Sequence, residues 1–179
     1  MFRLPNGDLL VAETNSPPRT NKGIEGWVMR NLMSKAGAGT ESANRIVLLR
    51  DSDKDGKVDE RFPFLENLNS PFGMALIEDT LYVANTDAVY AYPYVEGETA
   101  ITAEGRKVAN LNAKAPNNHW TRDLLASQDG KYLYVSVGSN SNIGENGMDT
   151  EKQRAAILQV ELATNKKAIY AAGMRNPVG

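Results

Sequence analysis

Residues 72–94 read Phe72-Gly73-Met74-Ala75-Leu76-Ile77-Glu78-Asp79-Thr80-Leu81-Tyr82-Val83-Ala84-Asn85-Thr86-Asp87-Ala88-Val89-Tyr90-Ala91-Tyr92-Pro93-Tyr94, and Arg106-Lys107-Val108-Ala109-Asn110-Leu111 follows after a Gly-containing connection. Three apolar runs rich in β-branched and aromatic residues are separated by Glu78-Asp79 and Thr86-Asp87, pairs that tolerate tight turns. Strands are therefore expected over 72–78, 80–85, 88–94 and 106–111. Four short antiparallel strands within about 40 residues are the signature of one propeller blade.

The same pattern returns on both sides. Leu9-Leu10-Val11-Ala12-Glu13-Thr14 and Leu133-Tyr134-Val135-Ser136-Val137-Gly138 echo Leu81-Tyr82-Val83-Ala84-Asn85-Thr86. The two outer copies follow turn signals of their own, Asn6-Gly7-Asp8 and Gln128-Asp129-Gly130. Toward the C-terminus a second set of strands is expected over 121–127, 132–138, 155–162 and 168–173. Toward the N-terminus, strands over 8–14, 44–50 and 58–65 would be the last three of a blade whose innermost strand is missing or reduced to residues 1–4. The expected fold is all-β, a partial β-propeller with blades at approximately 1–66, 67–113 and 114–179. Such an array leaves open strand edges that must be paired, so the chain is expected to be part of a longer protein or to associate.

Composition agrees with a packed domain. The 179 residues are 41% hydrophobic and 23% charged, with 15 Gly, 8 Pro and no Cys, which excludes disordered, collagen-like and disulfide-stapled classes. Lys and Arg total 20 against 22 Asp and Glu, and the net charge of -2 gives no electrostatic case for binding nucleic acid or an anionic membrane. No apolar run approaches the ~20 residues of a membrane helix, so membrane insertion is not expected. Met1-Phe2-Arg3-Leu4-Pro5-Asn6-Gly7-Asp8 reads as a turn leading into a strand rather than as a secretory signal. The absence of cysteine fits an exported protein and a cytosolic one equally.

Chemistry-bearing motifs are few. There is no Walker A loop, no G-x-S-x-G elbow and no Cys-x-x-Cys pair, and a single histidine excludes a multi-histidine metal site. Asp51-Ser52-Asp53-Lys54-Asp55-Gly56-Lys57-Val58-Asp59 is a D-x-D-x-D-G loop between two expected strands. Alternate carboxylates of Asp51, Asp53, Asp55 and Asp59 can converge on one hard cation, with the Lys57 carbonyl adding an oxygen and Gly56 permitting the turn. Phe62 stands where a helical EF-hand has its bidentate Glu, so a β-hairpin calcium loop with a structural role fits better; a solvated acidic turn is the plainer reading. His119 lies in Ala115-Pro116-Asn117-Asn118-His119-Trp120-Thr121-Arg122-Asp123, just before an innermost strand, where propeller side chains face the central channel. An imidazole there is either a packing residue or a proton acceptor at neutral pH. Gly173-Met174-Arg175-Asn176-Pro177-Val178-Gly179 places a guanidinium and an amide in one turn, suited to an anionic cofactor or a developing oxyanion. Between 15 and 43, Trp27, Val28, Leu32 and Met33 recur at roughly helical spacing, either in a loop at the propeller rim or in a surface excursion.

Taken together, Asn118–Leu124, Asp129–Ser139 and Gly173–Gly179, with the strand Ser70–Leu76, resemble the glucose/sorbosone dehydrogenase family, most closely its sorbosone-dehydrogenase-like branch. These are soluble quinoprotein sugar dehydrogenases built as six-bladed propellers around pyrroloquinoline quinone (PQQ). The resemblance implies that His119 is the general base, taking the proton of a sugar's anomeric hydroxyl while a hydride passes to the quinone. It implies that Arg175 steadies the charge developing on the quinone and that Asn176 is its neighbour on the cofactor. It further implies Ca²⁺, a small-molecule sugar substrate, an electron acceptor, and a periplasmic or secreted location. Where glucose-oxidising members have Gly-Asp, this chain has Gly138-Ser139, so either Ser139 or a nearby Asn orients His119, or the imidazole is less well held than in those enzymes. Residues that would bind the bridging Ca²⁺ in that family lie beyond Gly179. Two other readings are a non-catalytic propeller used for binding, with His119 and Arg175 as packing residues, and a lactonase-like hydrolase with a channel-bound metal.

Overall fold

The structure is a computed structural model and describes residues 1–17 and 42–178. Among these, twelve strands form three four-stranded antiparallel sheets, each a simple meander in chain order. The first holds β1 (Phe2–Arg3), β2 (Leu9–Glu13), β3 (Arg45–Arg50) and β4 (Glu60–Leu65). The second holds β5 (Met74–Ile77), β6 (Thr80–Ala84), β7 (Ala88–Pro93) and β8 (Arg106–Asn110). The third holds β9 (Leu124–Ala126), β10 (Tyr132–Val137), β11 (Ala156–Glu161) and β12 (Lys167–Ala172). These are the blades of a propeller, and the reduced innermost strand expected at the N-terminus is β1, two residues paired with Leu9 and Leu10. The one described helical element is a 3-10 turn, Met148–Glu151. The helically spaced residues 27–33 lie outside the described residues.

Burial explains why the middle blade had the clearest sequence signal. Leu81 and Val83 of β6 pack toward the first sheet with Leu10, Ile46, Leu48 and Phe64. The alternate residues Tyr82 and Ala84 pack toward the third sheet with Leu133, Val135 and Leu158. A strand covered on both faces reads as a continuous apolar run, whereas β11, covered on one, alternates buried and half-buried along Ala156–Glu161. Each fully buried Leu or Val contributes about 1.5–3 kcal/mol, so these two interfaces carry most of the stability.

The innermost strands approach backbone to backbone. A Cβ on Gly73 would lie 2.5 Å from the amide nitrogen of Leu124 and 2.6 Å from the Cα of Asp123, so only glycine fits. The Gly73 amide donates to the Arg122 carbonyl at 2.9 Å. β9 is shorter than the expected 121–127, because the carbonyls of His119 and Thr121 accept from the Arg122 guanidinium rather than from a strand partner.

Carboxylates clamp the first blade. Asp8, 6% exposed, receives Arg50 Nη2 at 2.7 Å, and Glu13 receives Arg45 Nε at 2.6 Å and also pairs with Arg61. The Arg50 hydrogen bond holds the Asp8 carboxyl below its ordinary 3.8, and the Arg45 bond holds Glu13 below its ordinary 4.5. A carboxyl more acidic in the folded state contributes stability that is fully present above its unfolded value and lost as pH falls through the folded one. The thermal midpoint is therefore expected to be flat above about pH 5 and to fall steadily below pH 4.5. Asp8→Asn should lower it at neutral pH by the loss of about 1.5–3 kcal/mol and make the acid limb shallower; a midpoint independent of pH from 6 to 3 would contradict the clamp.

Candidate functional site

His119 is carried on the chain leading into β9, and that chain is tied down by its neighbours rather than by strand pairing. Phe72 meets Trp120 edge-on at 6.2 Å between ring centroids. Thr86 Oγ1 donates to the Trp120 carbonyl at 3.0 Å and accepts from Asn117 Nδ2 at 3.0 Å. Arg122 is fully buried, with Nη1 donating to the carbonyls of His119 (2.7 Å) and Thr121 (2.8 Å) and Nη2 to Asn112 O and Asn117 Oδ1. Burial, reinforced by the nearby Arg154 charge and opposed by Asp87, pulls its pKa down to about 9. The loop is thus wrapped around the Arg122 guanidinium, which shares its motif with His119.

The imidazole meets Ser139 at the end of β10. Nδ1 lies 2.9 Å from Ser139 Oγ and 3.2 Å from the Ser139 carbonyl oxygen. Ser139 Oγ donates its one proton to the Ser141 carbonyl at 2.6 Å. Both oxygens facing Nδ1 are therefore acceptors, so the proton sits on Nδ1 and the lone pair on Nε2. Ser139 thus favours the tautomer that leaves Nε2, rather than Nδ1, unprotonated.

The turn after β12 docks on the same residue. The Ser139 amide donates to the Arg175 carbonyl at 2.8 Å, and the Met174 amide to the Ala155 carbonyl at 3.0 Å. A Cβ on Gly138 would lie 2.4 Å from His119 Cβ and 2.6 Å from Asn176 Oδ1, so this glycine is where the two sequence motifs come into contact. Asn176 Oδ1 also accepts from Thr121 Oγ1 at 3.4 Å. The exposed Arg175 guanidinium donates from Nη2 to Asn142 Oδ1 at 2.7 Å and lines an open cleft of about 270 Å³ with Ser139, Ser141, Asn142 and Glu151. His119 does not line that cleft directly; it reaches it through Ser139. Glu151 organises the cleft wall, its carboxylate accepting from the Asn140 amide (2.8 Å), the Ser141 amide (3.1 Å) and Ser141 Oγ (2.7 Å). Burial raises the Glu151 pKa, but these donors outweigh it and the net shift is downward. Glu151 and Ser141 carried no signal in the sequence, since both lie in a polar connection that reads as an ordinary surface loop.

At the acidic loop, oxygens of Asp51, Asp53 and Asp59 come within 4.8 Å of one another. Asp55 turns elsewhere, accepting from the Lys57 amide at 2.8 Å and pairing with Lys57 Nζ at 3.3 Å. Backbone amides of Ser52 and Gly56 already donate to Asp59 and Asp51. The loop joins β3 to β4 in the first blade, while His119 and Arg175 flank the third.

The sequence model of the TrAA12-like family matches residues 40–179. The chain belongs to the TrAA12-like family. It is similar to an uncharacterized protein of Borreliella burgdorferi, at 27% identity over 126 residues, covering 66% of this chain and 32% of that protein. Among solved structures it resembles the iodide form of a Trichoderma reesei enzyme of carbohydrate-active enzyme family AA12, at 22% identity and TM-score 0.61, covering 77% of this chain and 38% of the other. The calcium form of that enzyme aligns with TM-score 0.56 at 23% identity, over 75% and 34% of the two chains. The holo PQQ domain of a pyranose dehydrogenase from Coprinopsis cinerea aligns with TM-score 0.60 at 16% identity, over 77% and 36%. This TrAA12-like chain spans about a third of the length of each.

In a TrAA12-like site arranged this way, Gly138→Ala should push His119 and Asn176 apart. The expected cost is about 1–3 kcal/mol of stability, with amide resonances of residues 119, 139 and 175 displaced and those of the first blade unmoved. Unchanged resonances around Ser139 would mean that the two motifs do not touch.

Proposed function

We propose that the protein oxidises an aldose or sorbosone-type sugar with PQQ as cofactor, His119 acting as general base. The observation that carries this reading is the Ser139 pair of acceptors at Nδ1, which leaves the Nε2 lone pair as the proton-accepting atom. The available donors suit an anionic quinone. Arg175 is an exposed cation with no ion pair among the described residues, held at the cleft by Asn142 beside Asn176. PQQ, when bound, supplies a quinone carbon that takes up the substrate's hydride. Arg175 and Asn176 would hold it, and Arg175 opposes negative charge growing beside its guanidinium. His119 Nε2 takes the anomeric hydroxyl proton, and Ser139 keeps the ring from rotating its protonated nitrogen toward the substrate. Family membership, the AA12 fold likeness and the likeness to a PQQ domain support the reading. An electron acceptor and a periplasmic or secreted location belong to the same proposal.

The test is to mix the protein with PQQ and Ca²⁺, add aldoses with an artificial electron acceptor, and follow dye reduction. His119→Ala should lose about 10²–10⁴ of the rate and Arg175→Met about 10²–10³. No dye reduction by the parent, or equal rates in parent and His119→Ala, would reject the assignment.

Calcium at the Asp51–Asp59 loop is the second part of the proposal, with a structural role in the first blade. Hard-cation binding needs several converging carboxylate oxygens, and Asp51, Asp53 and Asp59 offer three. Asp55 and the Lys57 carbonyl complete the set expected from the sequence only if the loop turns them inward on binding. Calorimetric titration with Ca²⁺ should show a binding heat that Asp53→Ala loses; identical isotherms would remove the loop from the calcium account.

A further inference from the structure

Arg154 follows the polar connection after β10 and is 3% exposed. It makes no ion pair among the described residues, although the Glu151 charge is felt from nearby. Its donors are distributed over two parts of the site. Nε donates to the Gly138 carbonyl at 3.2 Å and Nη2 to the Ser139 carbonyl at 3.3 Å. Nη1 donates to the Lys114 carbonyl at 3.1 Å, and Nη2 also to Asn117 Oδ1. The first two acceptors directly follow β10; the last two belong to the loop that carries His119. One rigid fork therefore ties the loop that carries His119 to the residue that faces its ring. Arg154 and Arg122 share the Asn117 amide oxygen rather than a carboxylate.

Burying a guanidinium without a carboxylate is costly, and an apolar residue of similar volume often stabilises such a place better. A residue retained for stability alone would not be expected to aim at the two carbonyls beside His119. We propose that Arg154 is a positioning residue for His119: by fixing the Gly138 and Ser139 carbonyls against residues 114–117, it holds the acceptor to which Nδ1–H points. The Ser139 carbonyl receives both Nδ1 of His119 and Nη2 of Arg154, so the two groups meet at one oxygen. The catalytic meaning of this rests on the proposed role of His119, but its geometric content does not, and the test reads the ring rather than turnover.

His119 is the only histidine of the chain, so the ultraviolet absorbance of N-carbethoxyimidazole, formed with diethylpyrocarbonate, reports on it alone. In the parent, modification is expected to stop at one ring nitrogen, because Nδ1 is engaged. Arg154→Met should react faster by about tenfold, the factor corresponding to about 1.4 kcal/mol of lost ordering, and should take up a second carbethoxy group. Asp8→Asn is the control: it weakens the first blade, far from the ring, and should react at the parent rate. If Arg154→Met does not fold, Arg154→Lys keeps the charge but not the fork and should react at an intermediate rate. Parent-like rate and stoichiometry in the folded Arg154 variant would overturn the proposal, as would equal acceleration in Asp8→Asn. Loss of PQQ-dependent dye reduction with these ring results intact would count against the sugar-oxidation reading alone.

Discussion

Every polar group of Ser139 is committed, and the geometry of the site follows from that. Its amide holds the Arg175 carbonyl, its own carbonyl receives His119 and Arg154, and its hydroxyl receives His119 while donating to Ser141. The residue is 6% exposed, so none of these bonds could be exchanged for water without opening the structure. Four stretches far apart in the chain, around 119, 139, 154 and 175, are thereby fixed relative to one another. Gly138 beside it removes the Cβ that would keep His119 and Asn176 apart.

The propeller makes such a junction possible because it brings the ends of innermost strands and the connections after them to one place. Gly73 lets β5 approach β9 backbone to backbone, which carries the chain before β9 across the face of the second blade. Trp120 and Asn117 then use Phe72 and Thr86 of that blade as supports. Apolar packing between blades supplies the stability; the polar network decides which conformation the connecting loops take. Burying two arginines is a cost that the interfaces between sheets can offset.

Much of the fold is legible in the sequence, and for a physical reason. Strands buried on both faces, such as β6, have no polar residues to blur them, and turn pairs such as Glu78-Asp79 mark their ends. β9 is the exception: the Thr121 carbonyl is taken by the Arg122 guanidinium and the Arg122 carbonyl by the Gly73 amide, only the Asp123 carbonyl reaches β10, at the Ser136 amide, and the strand itself begins at Leu124. In the site, His119, Arg175 and Asn176 stood out because each lies in a motif bounded by Gly, Pro or Asn. That Ser139 meets the imidazole was foreseeable as one of the options, since its position after Gly138 departs from the Gly-Asp of the resembled enzymes. Arg154, Glu151 and Ser141 were not foreseeable. An arginine or glutamate in a polar loop looks solvated, and only the folded path of residues 139–154 buries them. The acidic loop shows the converse, because its spacing pointed to four converging carboxylates and three of them meet.

The account stands or falls on the state of one ring. Long-range ¹H–¹⁵N correlation spectra of the uniformly labelled chain at neutral pH resolve which nitrogen of its single histidine bears the proton. Ser139 should impose one tautomer, with a pyrrole-type Nδ1 and a pyridine-type Nε2. A ring protonated at Nε2, or one averaging between both tautomers, would contradict it.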